Sequence, residues 1–103
     1  MLIRSTIGAA FFAFAATSAS ACVSYNGPSD TFSNSCGEDV YVQYRTVGGG
    51  CYLSDLGAFS FKNGETHTDP MLSEPCGTAT NWRVDWAWCN FDEWTAGSCK
   101  PKF

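Results

Sequence analysis

The sequence predicts an all-β domain, a small disulfide-stabilised β-sandwich or open barrel. Three observations predict it. Two segments alternate apolar and polar residues with a period of two, six cysteines fall within about 80 residues, and no segment beyond residue 21 carries a helical apolar period.

The first segment stands outside that domain. "MLIRSTIGAAFFAFAATSASA" has one positive charge, Arg4, then an apolar run from Ile7 to Ala16. It ends on Ala19-Ser20-Ala21, the small-x-small pattern that a signal peptidase reads. The run is too short to span a bilayer. Residues 1–21 therefore read as a secretion signal and residues 22–103 as one disulfide-rich domain. Cleavage after Ala21 would expose Cys22 as the first residue, which raises a lipid-anchored alternative. Ala19 stands where a lipobox carries a larger apolar residue, and lipidation would leave an odd thiol in an oxidising compartment; both count against the anchor.

Cys22, Cys36, Cys51, Cys76, Cys89 and Cys99 include no CxxC pair, and His67 is the only histidine, so no zinc knuckle and no cofactor is expected. Three disulfides are the economical reading for a small exported domain. Each contributes about 2–4 kcal/mol, a large share of the stability of such a domain. Without residues 1–21 the chain keeps five Lys and Arg against ten Asp and Glu, a net charge near −5. That charge repels nucleic acid and anionic lipid, and no basic cluster offsets it. Nucleic-acid binding and stable membrane insertion are excluded as expectations.

Along the domain, "NGPSD" (Asn26–Asp30) is turn chemistry. "VYVQYRTV" (Val40–Val47) predicts a strand with Val40, Val42 and Tyr44 on one face and Tyr41, Gln43 and Arg45 on the other. Gly48-Gly49-Gly50 reads as a flexible loop. "AFSFKNGETHT" (Ala58–Thr68) reads as a strand, a tight hairpin turn at Asn63-Gly64 and a second short strand. "DPMLSEPCG" (Asp69–Gly77), with two prolines, is loop. "WRVDWAWC" (Trp82–Cys89) predicts the clearest strand, with Trp82, Val84, Trp86 and Trp88 on one face and Arg83, Asp85, Ala87 and Cys89 on the other.

Tryptophans on such a face serve first as core, because each buried indole removes roughly 150–250 Å² from water. The sharper expectation is a solvent-facing platform that stacks on sugar rings, with Trp94 or Tyr44 contributing. A mixed outcome buries Trp82 and Trp86 and leaves Trp88 or Trp94 at an edge. Other chemistry is thin. Asp55, Glu74, Asp85, Asp92 and Glu93 are candidates for a glycosidase carboxylate pair, but no spacing forces two of them together. His67, between Thr66 and Thr68 in a predicted edge strand, has no nucleophile partner in the sequence. Arg45 and Arg83 are expected to pair with carboxylates across strands.

Four motifs occur in order: "NSCGEDVYV" from Asn34, "NGET" at Asn63–Thr66, the tryptophan strand, and "CNFDEWTAGSC" from Cys89 to Cys99. In this order and spacing, Asn34 to Cys99 resembles the N-terminal part of thaumatin-like proteins. The resemblance implies a Cys89–Cys99 bridge around Phe91. It implies no glucanase activity, because the acidic cleft of that family is built from later segments without counterparts here. The family's distant partner for Cys36 also has no counterpart, which leaves Cys22, Cys51 or Cys76; the local choice is Cys22–Cys36 with Cys51–Cys76.

The functional expectation is a secreted, non-catalytic binding protein for extracellular carbohydrate or a cell surface, of the defence or antimicrobial type. Trp86, Trp88, Trp94 and Tyr44 would stack on sugar faces, and Asp92 and Glu93 would accept hydroxyl hydrogen bonds. The alternative is a small cysteine-rich toxin or host-directed effector acting on a protein.

Overall fold

The structure, a computed structural model, describes residues 22–103; the expected secretion signal lies outside the described residues. Six strands form two three-stranded antiparallel sheets. They are β1 (Val23–Asn26), β2 (Thr31–Asn34), β3 (Val40–Val47), β4 (Gly57–Phe61), β5 (Thr66–Thr68) and β6 (Arg83–Asn90). One sheet has the order β1-β2-β5 and the other β4-β3-β6. The class is all-β, as the alternation predicts, and the predicted limits of β3 coincide with the observed ones. A single turn of helix, α1 (Phe91–Thr95), follows β6 where the sequence carries no helical period. It is too short to show one.

The sheets face each other across aromatic side chains. β3 contributes Val40, Val42 and Tyr44, all buried, and its opposite face carries Tyr41, Gln43 and Arg45, all half-buried. The ring of Phe32 from β2 is fully buried and reaches both sheets. It lies 4.6 Å from Tyr25 on its own sheet, 5.3 Å from both Tyr44 and Phe59, and 5.7 Å from Trp86 on the other.

Asn63-Gly64 turns the chain, but it does not close a hairpin. β4 pairs with β3, whereas β5 pairs with β2, so the turn carries the chain from one sheet to the other. The cause lies at its far side. The Gly64 amide donates to Asn34 O at 2.7 Å and the Asn34 amide to Glu65 O at 3.1 Å, which recruits the returning strand to β2. The His67 ring then stacks on Phe59 at 3.8 Å, face to face between the sheets.

Asn34, the first residue of the "NSC" motif, is 2 % exposed. Its amide donates to Glu38 O and Phe61 O, and its Oδ1 accepts from the Cys36 amide at 2.8 Å. One side chain thereby satisfies three backbone groups, two from the loop between β2 and β3 and one from β4. The disulfides are Cys22–Cys36, Cys51–Cys76 and Cys89–Cys99, the pairing expected above.

Glycines 48 to 50 are a packed turn rather than a flexible loop. Gly49 and Gly50 are buried, and a Cβ on Gly50 would stand 2.8 Å from both Thr46 Oγ1 and Trp82 Nε1. With φ of 84° at Gly50, a side chain is excluded both by backbone and by space.

Phe32→Ala removes the ring that both sheets share and is expected to cost about 3–5 kcal/mol. The check is a denaturant titration of the oxidised protein, in which the midpoint falls sharply or the variant fails to fold.

Candidate functional site

Where the edge strands β1 and β6 face each other, the sandwich opens into a cleft of about 460 Å³. Tyr25 from β1 and Val84 from β6 line its two sides. Asp30, Ser73, Asn81 and Trp82 complete the wall from loops. "NGPSD" builds the first loop as a single 3₁₀ turn, Gly27–Ser29, with Asn26 Oδ1 accepting from the Ser29 amide. The turn ends on Asp30 in the left-handed region, φ 54° and ψ 38°, a conformation that short polar side chains tolerate. Asp30 is 8 % exposed. Its carboxylate accepts from the Ser73 hydroxyl at 2.6 Å and from the Tyr25 hydroxyl at 3.4 Å. Burial first, then the charge of Asp30 and its hydrogen bond, push the Tyr25 phenol up to about 12.

Trp82 precedes β6 and is seated by its neighbours. Its Nε1 donates to Leu72 O at 3.0 Å, and the glycine turn lies against the indole, since a Cβ on Gly49 would stand 3.2 Å from its ring. The bridge Cys51–Cys76 fastens the loop that carries Leu72 and Ser73 to the end of that turn.

Behind the cleft, Asp69 joins the two sheets. Its carboxylate accepts from the Tyr44 hydroxyl at 2.5 Å, from the Tyr52 hydroxyl and from the Met71 amide at 3.0 Å. Its backbone amide donates to Asp30 O at 3.0 Å, which ties this knot to the cleft wall. Gly57, opposite Tyr44 on β4, leaves the space that the Tyr44 ring fills; a Cβ there would be 2.3 Å from it. Burial alone would raise the Asp69 carboxyl. The hydroxyls of Tyr44 and Tyr52, the Met71 amide and the charge of His67 outweigh it and hold the group below its ordinary value. Tyr44 and Tyr52 are pushed up, by burial first and then by their bonds to Asp69.

The six residues expected to form one platform are divided between two faces of the β4-β3-β6 sheet. Trp86 and Trp88 are half-buried on the inner face, opposite Tyr44 and Val42 and packed on the core. Tyr44 is 3 % exposed with its hydroxyl engaged, so it offers no ring to a ligand, and the expectation is corrected there. Trp94 lies on the outer face, stacked on Tyr41 at 3.6 Å and 12°. Asp92 and Glu93 are exposed in the first turn of α1, where negative charge suits the helix start. The separation follows from strand parity. Cys89 projects to the outer face beside Tyr41, and its bridge to Cys99 folds α1 onto that side. Trp82 is the indole the cleft uses. Tyr25, Asp30, Ser73 and Asn81 escaped the sequence reading because no periodicity links four separate segments.

The candidate carboxylates are dispersed. Asp85 pairs with Arg45 across the strands at 3.4 Å and with Arg83 along its own strand at 3.0 Å. Asp55 and Glu74 are exposed in loops. Arg45 also lies 4.7 Å over the Phe103 ring. Among the described residues no helix is long and apolar enough to cross a membrane, and no three His, Cys, Asp or Glu side chains gather as a metal group.

Two predictions concern the tyrosine–aspartate knot. A carboxyl held low in the folded state stabilises it above about pH 4 and loses that contribution as the pH falls through the folded value. Asp69→Asn should therefore melt at a lower temperature at pH 7 and show a shallower acid slope than the native protein, measured by near-ultraviolet circular dichroism. Raised phenols act oppositely, stabilising below about pH 10 and losing that effect as the pH rises. In an ultraviolet phenolate titration of the folded protein, Tyr25, Tyr44 and Tyr52, three of the four tyrosines, should ionise only above that value.

Compared with protein-family models, curated proteins and solved structures, the chain has no significant match in any of the three.

Proposed function

We propose that the protein is a secreted, non-catalytic binding protein for extracellular carbohydrate, of the defence or antimicrobial type, and that the cleft between β1 and β6 holds the sugar. The observation that carries this reading is the composition of the cleft. Aromatic rings of Tyr25 and Trp82 stand beside the polar groups of Asp30, Ser73 and Asn81. Sugars combine apolar C–H faces with hydroxyls, and a concave, partly apolar site with a few fixed polar groups suits them. Three disulfides fit an oxidising, extracellular setting. The resemblance of Asn34 to Cys99 to thaumatin-like proteins supports the same reading. Asn34 organises its motif physically, and Asn90 caps α1 by accepting from the Glu93 amide. The cleft lining holds one carboxylate, Asp30, where glycoside hydrolysis ordinarily uses two. Binding is therefore the reading we carry forward.

A second reading, a small secreted toxin or effector that engages a protein, draws on a different surface. Leu53, Leu56 and Met71 are each about half exposed, at 57 %, 52 % and 48 %. They belong to the segments that carry Tyr52 and the Met71 amide to Asp69.

Replacing Trp82 by Ala should weaken retention on an insoluble polysaccharide by about tenfold or more, while Trp94→Ala on the outer face leaves it unchanged. Affinity electrophoresis on polysaccharide gels reads both. Equal retention of Trp82→Ala and native protein would remove the cleft from the mechanism. Loss of retention only in Trp94→Ala would move the site to the outer face.

A further inference from the structure

We infer that the ligand of the cleft is an amine-bearing saccharide, with Asp30 the counter-charge to its ammonium group. The inference rests on the carbohydrate reading and specifies the class of sugar. Asp30 is more than nine-tenths buried, and a buried carboxylate ordinarily has a cation beside it. None is supplied here. The cleft lining contains no Lys, Arg or His, and the ion pairs of Arg45 and Arg83 both go to Asp85. The two groups that reach the Asp30 carboxylate oxygens are neutral hydroxyls, of Ser73 at 2.6 Å and Tyr25 at 3.4 Å. A carboxylate offers about four lone-pair sites, so acceptor capacity remains.

The rest of the wall suits a cation as well. The Trp82 Nε1–H is already taken by Leu72 O, so the indole offers its π system rather than a donor. Indole and phenol rings within reach of an ammonium attract it through their quadrupoles. The chain as a whole is negative, with a formal charge of −4, and adds long-range attraction of the same sign. The backbone does not require the charge. Asn holds the left-handed conformation of residue 30 as well as Asp does, and an Asn oxygen would still accept from Ser73. An anionic sugar would bring a second negative charge to a wall without cations, and the cleft should reject it.

Calorimetric titration with three probes tests this: a glucosamine tetramer, its N-acetylated counterpart and a galacturonic acid tetramer. We expect the glucosamine tetramer to bind about tenfold or more tightly than the N-acetylated one, and the galacturonate not at all. Asp30→Asn, checked for an unchanged melting temperature, should bring the first two to equal affinity. Should that variant not fold, the native protein gives the answer through salt. Rising ionic strength should weaken the amine-bearing tetramer and leave the N-acetylated one unaffected. Equal binding of those two by the native protein, or binding of the galacturonate, would overturn the inference and leave the carbohydrate reading in place. Binding of no saccharide, with or without capture of a lysine-rich peptide, would overturn both.

Discussion

The two sheets meet around one central ring, with the stack of His67 on Phe59 beside it. Phe32 is the residue that touches aromatic side chains from β1, β3, β4 and β6 together. The remaining buried apolar residues are few and mostly β-branched or aromatic. A core one ring thick gives up much of its burial if the sheets separate by even a small distance, because dispersion contacts decay steeply. The rest of the structure is therefore arranged to keep that distance fixed.

Two polar ties do so. Asn34 ties the loop between β2 and β3 to β4, and Asp69 collects hydroxyls from β3 and the loop after it. The disulfides then close the chain at Cys22–Cys36, Cys51–Cys76 and Cys89–Cys99. Both polar ties use side chains, Asn34 buried and Asp69 half-buried, whose hydrogen-bonding capacity is well used, which is the condition under which a polar group removed from water stabilises rather than costs. The cleft inherits this rigidity. Strands line its two sides, and the loops that complete its wall are fastened by Trp82 to Leu72 O, by Ser73 to Asp30 and by Asp69 to Asp30 O. A site built in this way is pre-organised, since the groups that would touch a ligand are already held by neighbours.

Legibility followed the range of the interaction. β3 was readable because alternation over eight residues is a local consequence of having one wet and one dry face. β1 and β2, four residues each, are too short to carry that signal, and the sequence predicts neither as a strand. The Asn63-Gly64 turn was legible as a turn, since Gly64 takes φ of 85°. Its role as a crossover was not, because the partner of β5 is Asn34's strand, with Thr31 and Thr68, paired across it, 37 residues apart. The rigidity of the glycine triplet is hidden from the sequence for a related reason. What makes it rigid is the Trp82 indole, which approaches it only in the folded chain.

By itself the sequence determined the all-β class, the main strands and their faces, and the oxidised state of six cysteines. Those follow from residue type and from spacing between near neighbours, which any extended chain already expresses. The division of the tryptophans was decided only in three dimensions. Strand parity sends Cys89 outward, its bridge carries Trp94 to the outer face, and the sheet order leaves β1 and β6 facing each other at an open edge. Asp30 became a buried carboxylate without a cation for the same reason. Its surroundings come from segments as distant in sequence as Tyr25 and Val84, and only the packing of two sheets brings them together.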